Sequence, residues 1–560
     1  MRLFPVLAAL ALGVALPAWA DKRLDDAVTK AEAQLAKGKE DDAVKTLEKA
    51  ASRAPRDAEA PLVLASLLSR LGRLEDAGVA LARAGELATA APPHVRARVL
   101  AARSAFALRA GTVREALDLA RQAVEAEAGA EGLAALARAQ ARAGDPAARA
   151  TAAEATQAAP GSAAAEIASG DALLEARLAR EAEAAYRRAS ELGHPPAAAL
   201  AGLARALAAQ GRAGDALETA RAATQADPHS AEALVAVGLA ALAEDPHDRN
   251  SEAASAVQQA ALLEPNNPLV KLEVGRMFES REQREQAAGA YEQAAGLDPT
   301  WAAPRIAALA LQLGGGDADA TLAGLRALPD EMRATGDAAL LLGRVLLRTG
   351  DSAGAKVALD RAVAALPGLA EAHAAHGEAA HELGERTLAA EAYRRAVELE
   401  PGNLEYRSRY GLLLARDGRL EEALAALLEV TGRPEGQDPG TLIDLGWVYR
   451  SFKPPRVEDA VAAYEEALKL DPKNGEAALG VAESYRAGRQ WARAISAYER
   501  VPDVDPRREG EALLGVAWCY CHSHDLYKAR FYASLAARAG ANMRKLRAAL
   551  SASCGTSPDE

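Results

Sequence analysis

The chain has 560 residues, half of them apolar but only 4% aromatic, and a formal net charge of −12. That length exceeds what one hydrophobic core organises, and the acidic balance excludes the basic stripe that nucleic-acid phosphates require. Charges of both signs are spread along the whole length, and alanine, the strongest helix former, is the commonest side chain, so the composition predicts an all-α protein with a solvated surface.

Residues 1–20, MRLFPVLAALALGVALPAWA, differ from the rest. Arg2, an apolar stretch from Leu3 to Leu16, then Pro17 and Ala18-Trp19-Ala20 form the layout of a secretory signal peptide cleaved after Ala20. An uncleaved anchor is the alternative, but the apolar run is short for a spanning helix. No second stretch is long enough to cross a bilayer. The expectation is therefore an exported bacterial protein, soluble in the periplasm after processing.

From there the chain repeats itself. In Pro268 to Trp301, counting Pro268 as position 1, small residues stand at positions 8, 20 and 27 (Gly275, Ala287, Ala294) and large ones at 11 and 24 (Phe278, Tyr291), with Pro299 at 32. Gly377, Ala389, Tyr393, Ala396 and Pro401 repeat the spacing, as do Gly446, Tyr449, Ala460, Tyr464, Ala467 and Pro472 with two extra residues in the turn. Gly170, Ala182, Tyr186 and Ala189 repeat it earlier. Small positions permit close approach of two helices, large ones fill the space to the next pair, and proline ends the second helix. Gly350, Gly384 and Gly418 fall near position 15, where a helix ends in a left-handed residue.

This pattern resembles the tetratricopeptide repeat, at that family's period of 34 residues. The resemblance implies a right-handed α-solenoid superhelix of about fifteen helix pairs, starting near residues 24, 58, 97, 130, 163, 197, 231, 268, 301, 336, 370, 404, 439, 475 and 510. The expected organisation is a signal peptide (1–20), an N-terminal array (21–267), a C-terminal array continuous with it (268–540), a capping helix (541–550) and a disordered tail (551–560).

No constellation for catalysis, cofactor or metal stands out. The triple glycine 314–316 lacks the Gly-Lys-Ser/Thr of a phosphate loop. His373, His376 and His381 share one helix, but their positions (4, 7 and 12) place the first two in packing and the third on the inner face, so they do not converge on a metal. What stacked helix pairs do provide is a concave groove. In similar proteins it is lined from positions 2, 5, 9, 12 and 13 of each first helix. Here the early pairs offer small or short residues such as Ser66, Ser69, Ala105 and Leu108. From the eighth pair the lining becomes charged, with Arg276, Arg344, Arg348, Glu378, His381, Arg416, Trp447, Arg450, Glu483 and Arg486 as candidate protein-binding residues. Arginine forks suit carboxylates, and Trp447 offers a flat apolar surface.

The expected function is a non-enzymatic scaffold that binds partner proteins in this groove. By resemblance to exported bacterial tetratricopeptide proteins, it would support assembly of a secretion, polysaccharide-export, pilus or motility machine. The alternative is a polysaccharide- or peptidoglycan-binding adaptor, which needs several groove aromatics where Trp447 alone is evident. One motif stays apart: Trp518 to Asp525, WCYCHSHD, packs two of the three cysteines with two histidines. In register Cys519 is a packing position, Cys521 and His522 face the groove, and His524 takes the left-handed helix end. This reads as a helix terminus with an exposed thiol at Cys521, which Cys554 could reach in an oxidising compartment.

Overall fold

The structure, a computed structural model, describes residues 22–192, 197–245 and 251–541. The expected leader, residues 542–550 of the expected capping helix and the tail with Cys554 lie outside the described residues. Among those described, thirty-one α-helices follow one another with no strand. Thirty of them form fifteen pairs, each helix packed on its neighbour in sequence, and the other is the four-residue helix Asp330–Arg333. First helices begin at the expected residue in ten pairs, and within two residues in four more. The exception is Pro93–Ala110, which starts four residues earlier than residue 97. Pro93 occupies the first helical position, where its missing N–H has no partner to lose.

The repeat pattern has a steric origin. Tyr186, from a second helix, is fully buried and passes between Gly170 of its own pair and Gly202 of the next. A Cβ on Gly170 would come within 2.6 Å of the ring, and one on Gly202 within 2.2 Å. Tyr464 repeats the arrangement between Gly446 and Gly480, at 2.8 and 2.4 Å. The glycine at position 8 is therefore half of a slot; the other half is a glycine at position 6 of the following pair. Through the slot the tyrosine carries its hydroxyl to the inner face, where Tyr186 Oη donates to Asp171 Oδ1 at 2.6 Å. Turn positions behave as expected, with Gly350, Gly384 and Gly418 at φ of 82°, 76° and 83° and His524 at 63°.

The described chain divides at Ala372 into two compact units. The first coils back on itself. Val113 N–H, at the start of the helix Val113–Ala126, donates to Asp298 Oδ2 at 2.8 Å across 185 residues. Arg109 pairs with Glu264, Arg114 with Glu331 at 2.9 Å, and Arg177 with Asp337 at 3.2 Å. Gly368 N–H donates to Ala176 C=O at 3.2 Å. These bonds clasp the third pair to the seventh through ninth and the fifth to the tenth.

The coil encloses charge that the sequence reading did not place there. Leu62, Ser66, Ala105 and Leu108 line a cleft of about 300 Å³, together with Arg98, Glu131 and Arg138. Charge thus begins well before the eighth pair: Arg98 of the third pair lines the same cleft and pairs with Glu59 at 2.7 Å, Arg138 Nε donates to Asp171 Oδ2 at 2.8 Å, and Arg142 lies over the Trp301 ring at 5.4 Å. Burial alone would raise the Asp171 carboxyl, but Arg138 and the Tyr186 hydroxyl hold it below the usual carboxylate range.

Candidate functional site: the groove of the second unit

In the second unit, first helices Leu404–Arg416, Pro439–Ser451, Gly475–Ala487 and Glu509–His522 line an open groove of about 1070 Å³. The first three start where their sequence caps them: Asn403, Asp438 and Asn474 accept hydrogen bonds from the first-turn N–H groups of Tyr406, Thr441 and Ala477. Because each first helix presents the same face, equal positions in successive pairs form rows across the groove.

The floor row holds Leu412, Trp447, Glu483 and Trp518, with Ile443, Leu479 and Leu514 beside them. Tyr464 reaches the floor through its glycine slot, and Tyr498 passes beside Gly515. Burial raises both phenols, Tyr464 to about 12. Toward the helix ends stand Arg416, Arg450 and Arg486; toward the helix starts stand Glu476 and Glu511, with Asp444 midway along its helix. Arg450 is ion-paired with Glu483 across the floor. Arg486 lies over the Trp518 ring at 4.8 Å, and Arg416 meets His381 Nε2 at 3.2 Å. Neither Arg416 nor Arg486 has a carboxylate partner among the described residues, and neither Asp444 nor Glu476 has a basic one. Burial pushes Asp444 up to about 6 despite Arg416 and Arg409 nearby.

Five of the ten candidate residues thus converge: Arg416, Trp447, Arg450, Glu483 and Arg486 line this groove. His381 joins its edge through Arg416, and Glu378 is exposed outside it. The remaining three belong to the first unit and already have partners. Arg276 pairs with Glu273 and Arg344 with Glu371, both at 2.7 Å, while Arg348 donates to Leu313 C=O at 2.7 Å near the end of the helix Ala302–Gly314. Sequence reasoning missed Trp518, Asp444 and Glu476. Trp518 had a visible signal, since it occupies position 9 of its pair as Trp447 does.

The WCYCHSHD motif proves to be packing at the end of this groove. His522 stacks on Trp518, centroids 3.6 Å apart, and Trp491 meets the Trp518 edge at 5.5 Å. The expected exposed thiol is corrected: Cys521 is buried and disulfide-bonded. Cys519 is a fully buried free thiol that burial pushes up to about 12. Among the described residues no group of three histidine, cysteine or carboxylate side chains is placed to hold a metal.

Tandem helix pairs with an open, mixed aromatic and charged groove define a repeat scaffold of the kind that binds other proteins. Tetratricopeptide-repeat models match residues 28–94, 167–231, 340–403, 374–439 and 456–519. The chain belongs to the tetratricopeptide-repeat family. It is 30% identical over 188 residues, 33% of its own length, to the type IV pilus assembly protein PilF of Pseudomonas aeruginosa strain PAO1, spanning 73% of that protein. Among solved structures it is similar to a Pseudomonas aeruginosa PilF (28% identity, TM-score 0.30, 36% of this chain and 90% of that one). It is also similar to a chain of the Cut9-Hcn1 assembly (15% identity, TM-score 0.46, 98% of both chains). Among the described residues no helix is long and apolar enough to cross a membrane.

Proposed function

We propose that the protein is a non-enzymatic scaffold of the bacterial cell envelope, exported through its leader stretch, that holds a segment of a partner protein in the groove of the second unit. The observation that carries this reading is the groove itself: about 1070 Å³, floored by Trp447 and Trp518, with Arg416 and Arg486 lacking carboxylate partners. Aromatic anchors beside arginines are the composition of interface hot spots. The similarity to a pilus assembly protein favours a pilus-type machine among the envelope assemblies such scaffolds serve. Sugar binding is less favoured, because His522 and Arg486 already cover the Trp518 ring that a sugar would stack on.

The test is site-specific photo-crosslinking in intact cells from Ile443, beside Trp447, followed by mass spectrometry. A discrete envelope protein should be captured, and the paired reversals Arg416→Glu and Arg486→Glu should abolish its capture. Capture that survives both reversals, or purified protein that retains isolated polysaccharide and no protein, refutes the assignment.

A further inference from the structure

The last described helix, Leu526–Arg538, carries large apolar residues on the side that faces away from the core. Ala529, Ala533 and Ala536 are buried against the rest of the unit, as a second helix requires. Opposite them, Tyr527, Phe531, Ser534 and Arg538 share one outward face and are all exposed. Tyr527 is 84% exposed, Phe531 53% and the adjoining Leu526 44%. In three preceding pairs the residues two before and two after the matching buried alanine are Glu421 and Ala425, Glu458 and Ala462, and Ala492 and Ser496, all exposed. Small or charged side chains suffice there, so the repeat itself does not call for aromatic ones. Three large apolar side chains standing together in water mark a contact surface.

The charge around this face has one sign. From Leu526 to Pro558 the chain has six basic residues and no acidic one, although it has 78 acidic residues overall. Arg530 and Arg538 are exposed and have no carboxylate partner among the described residues. The next charged residues along the chain, Arg544, Lys545 and Arg547, are basic too. The carboxylates bordering the face are engaged: Asp525 lies 3.5 Å from Lys528 and caps the helix, and Glu499 accepts from Tyr532 Oη at 3.4 Å.

We infer that this outer face docks the protein on the surface of an anionic lipid bilayer, with Tyr527, Phe531 and Leu526 in the interface and the basic residues against the headgroups. Aromatic rings suit the boundary between headgroups and acyl chains, and tyrosine keeps its hydroxyl in water there. Leu526 offers nothing to a stacked nucleobase, but it gains by leaving water for an acyl layer. The −12 charge of the whole chain does not prevent contact. At physiological ionic strength charges beyond about 8 Å are screened, so the local cations decide. The face belongs to a second helix, whereas first helices line the groove, so docking leaves the groove accessible and holds whether or not the groove takes a partner. Attachment of this kind is reversible and needs no spanning helix.

The experiment is co-sedimentation with vesicles, using the chain from Asp21 so that the apolar leader stretch cannot itself enter lipid. Phosphatidylcholine vesicles are compared with vesicles carrying about 30% phosphatidylglycerol at about 0.1 M salt. Binding should be at least tenfold tighter to the anionic vesicles and should be lost at about 0.5 M salt. Arg530→Ala with Arg538→Ala should weaken it roughly twentyfold, about fivefold for each cation removed. Tyr527→Ala with Phe531→Ala should weaken it at least fivefold. Tyr527→Ala alone, at the most exposed residue, should weaken it with thermal unfolding unchanged, which separates lost contact from lost packing. No vesicle binding, equal binding to both vesicle types, or anionic binding that survives either double variant overturns the inference. Tighter binding of a single-stranded oligonucleotide than of anionic vesicles also overturns it, as does a dimer through this face, seen by ultracentrifugation, in place of vesicle binding.

Discussion

Asp298 carries the closure of the first unit, and its removal should be measurable at one amide. The side chain is fully buried and serves three donors: Val113 N–H at 2.8 Å, Thr300 N–H at 2.9 Å and Thr300 Oγ1–H at 2.6 Å. Val113 is the first residue of its helix, so its N–H has no partner within the helix. In Asp298→Ala that amide loses its acceptor while buried against the neighbouring turn, at a cost of about 1–3 kcal/mol. Loss of a carboxylate from the positive end of a helix adds about 0.5–1 kcal/mol. A combined loss of roughly 3 kcal/mol corresponds to about a hundredfold faster opening-limited exchange, at about 1.4 kcal/mol per factor of ten. Hydrogen–deuterium exchange resolved at the Val113–Ala116 amides is the assay. The expected result is loss of protection there and at Thr300, with the second unit unchanged. Asp298→Asn should fall between, since its one carbonyl oxygen serves Val113 or Thr300 but not every donor. Unchanged protection at Val113 in the alanine variant would refute the clasp.

Three further outcomes follow from the packing and the charges. Gly480→Ala places a methyl 2.4 Å from the Tyr464 ring and should destabilise the second unit by about 1–3 kcal/mol in urea unfolding, with Tyr464→Leu in the same chain relieving part of the loss. The Cys519 thiol, raised to about 12, stays protonated at pH 8, so iodoacetamide should label it only in denaturant; rapid labelling of folded protein, read by mass spectrometry, contradicts its burial. Burial raises Glu32 to about 7 against the lowering influence of Arg70, so the folded state favours the protonated acid. For a raised carboxyl the folded state is penalised as pH rises from the ordinary value through about 7. Glu32→Gln should therefore melt above the parent at pH 8, and the gap should close by pH 5; a gap independent of pH rejects this account.

The fold was legible because each repeat is specified locally. A small residue at position 8, a tyrosine at 24 and a proline at 32 describe contacts within one pair or with the next, so periodicity alone located the first helices. What lay beyond nearest neighbours was not legible. Asp298 precedes Pro299 just as Asp471 precedes Pro472, yet Asp471 bonds only Lys473 and Asn474 nearby while Asp298 reaches 185 residues back. Nothing in the local sequence distinguishes the two, because the difference arises from how tightly the coil returns. Position 6 was missed for a related reason: the glycine that completes the Tyr186 and Tyr464 slots belongs to the following pair, so it carries no signal within the unit being compared.

The same distinction decides which arginines mark a binding surface. Arg138, at position 9 of its pair, and Arg486, at position 12, both lie on the inner faces of first helices. Around Arg138 the first unit supplies Asp171 at 2.8 Å, itself bonded to Tyr186, so the charge is satisfied within the molecule. Arg276, Arg344 and Arg348 have protein acceptors too. Arg486 rests on the Trp518 ring with no carboxylate partner, whereas half-buried Asp444 has Arg416 and Arg409 near it. A charge held partly out of water without a counter-charge destabilises the free protein. An arginine left facing an open groove, rather than paired across it as Arg450 is with Glu483, is the arrangement expected when the missing counter-charge comes from a bound chain.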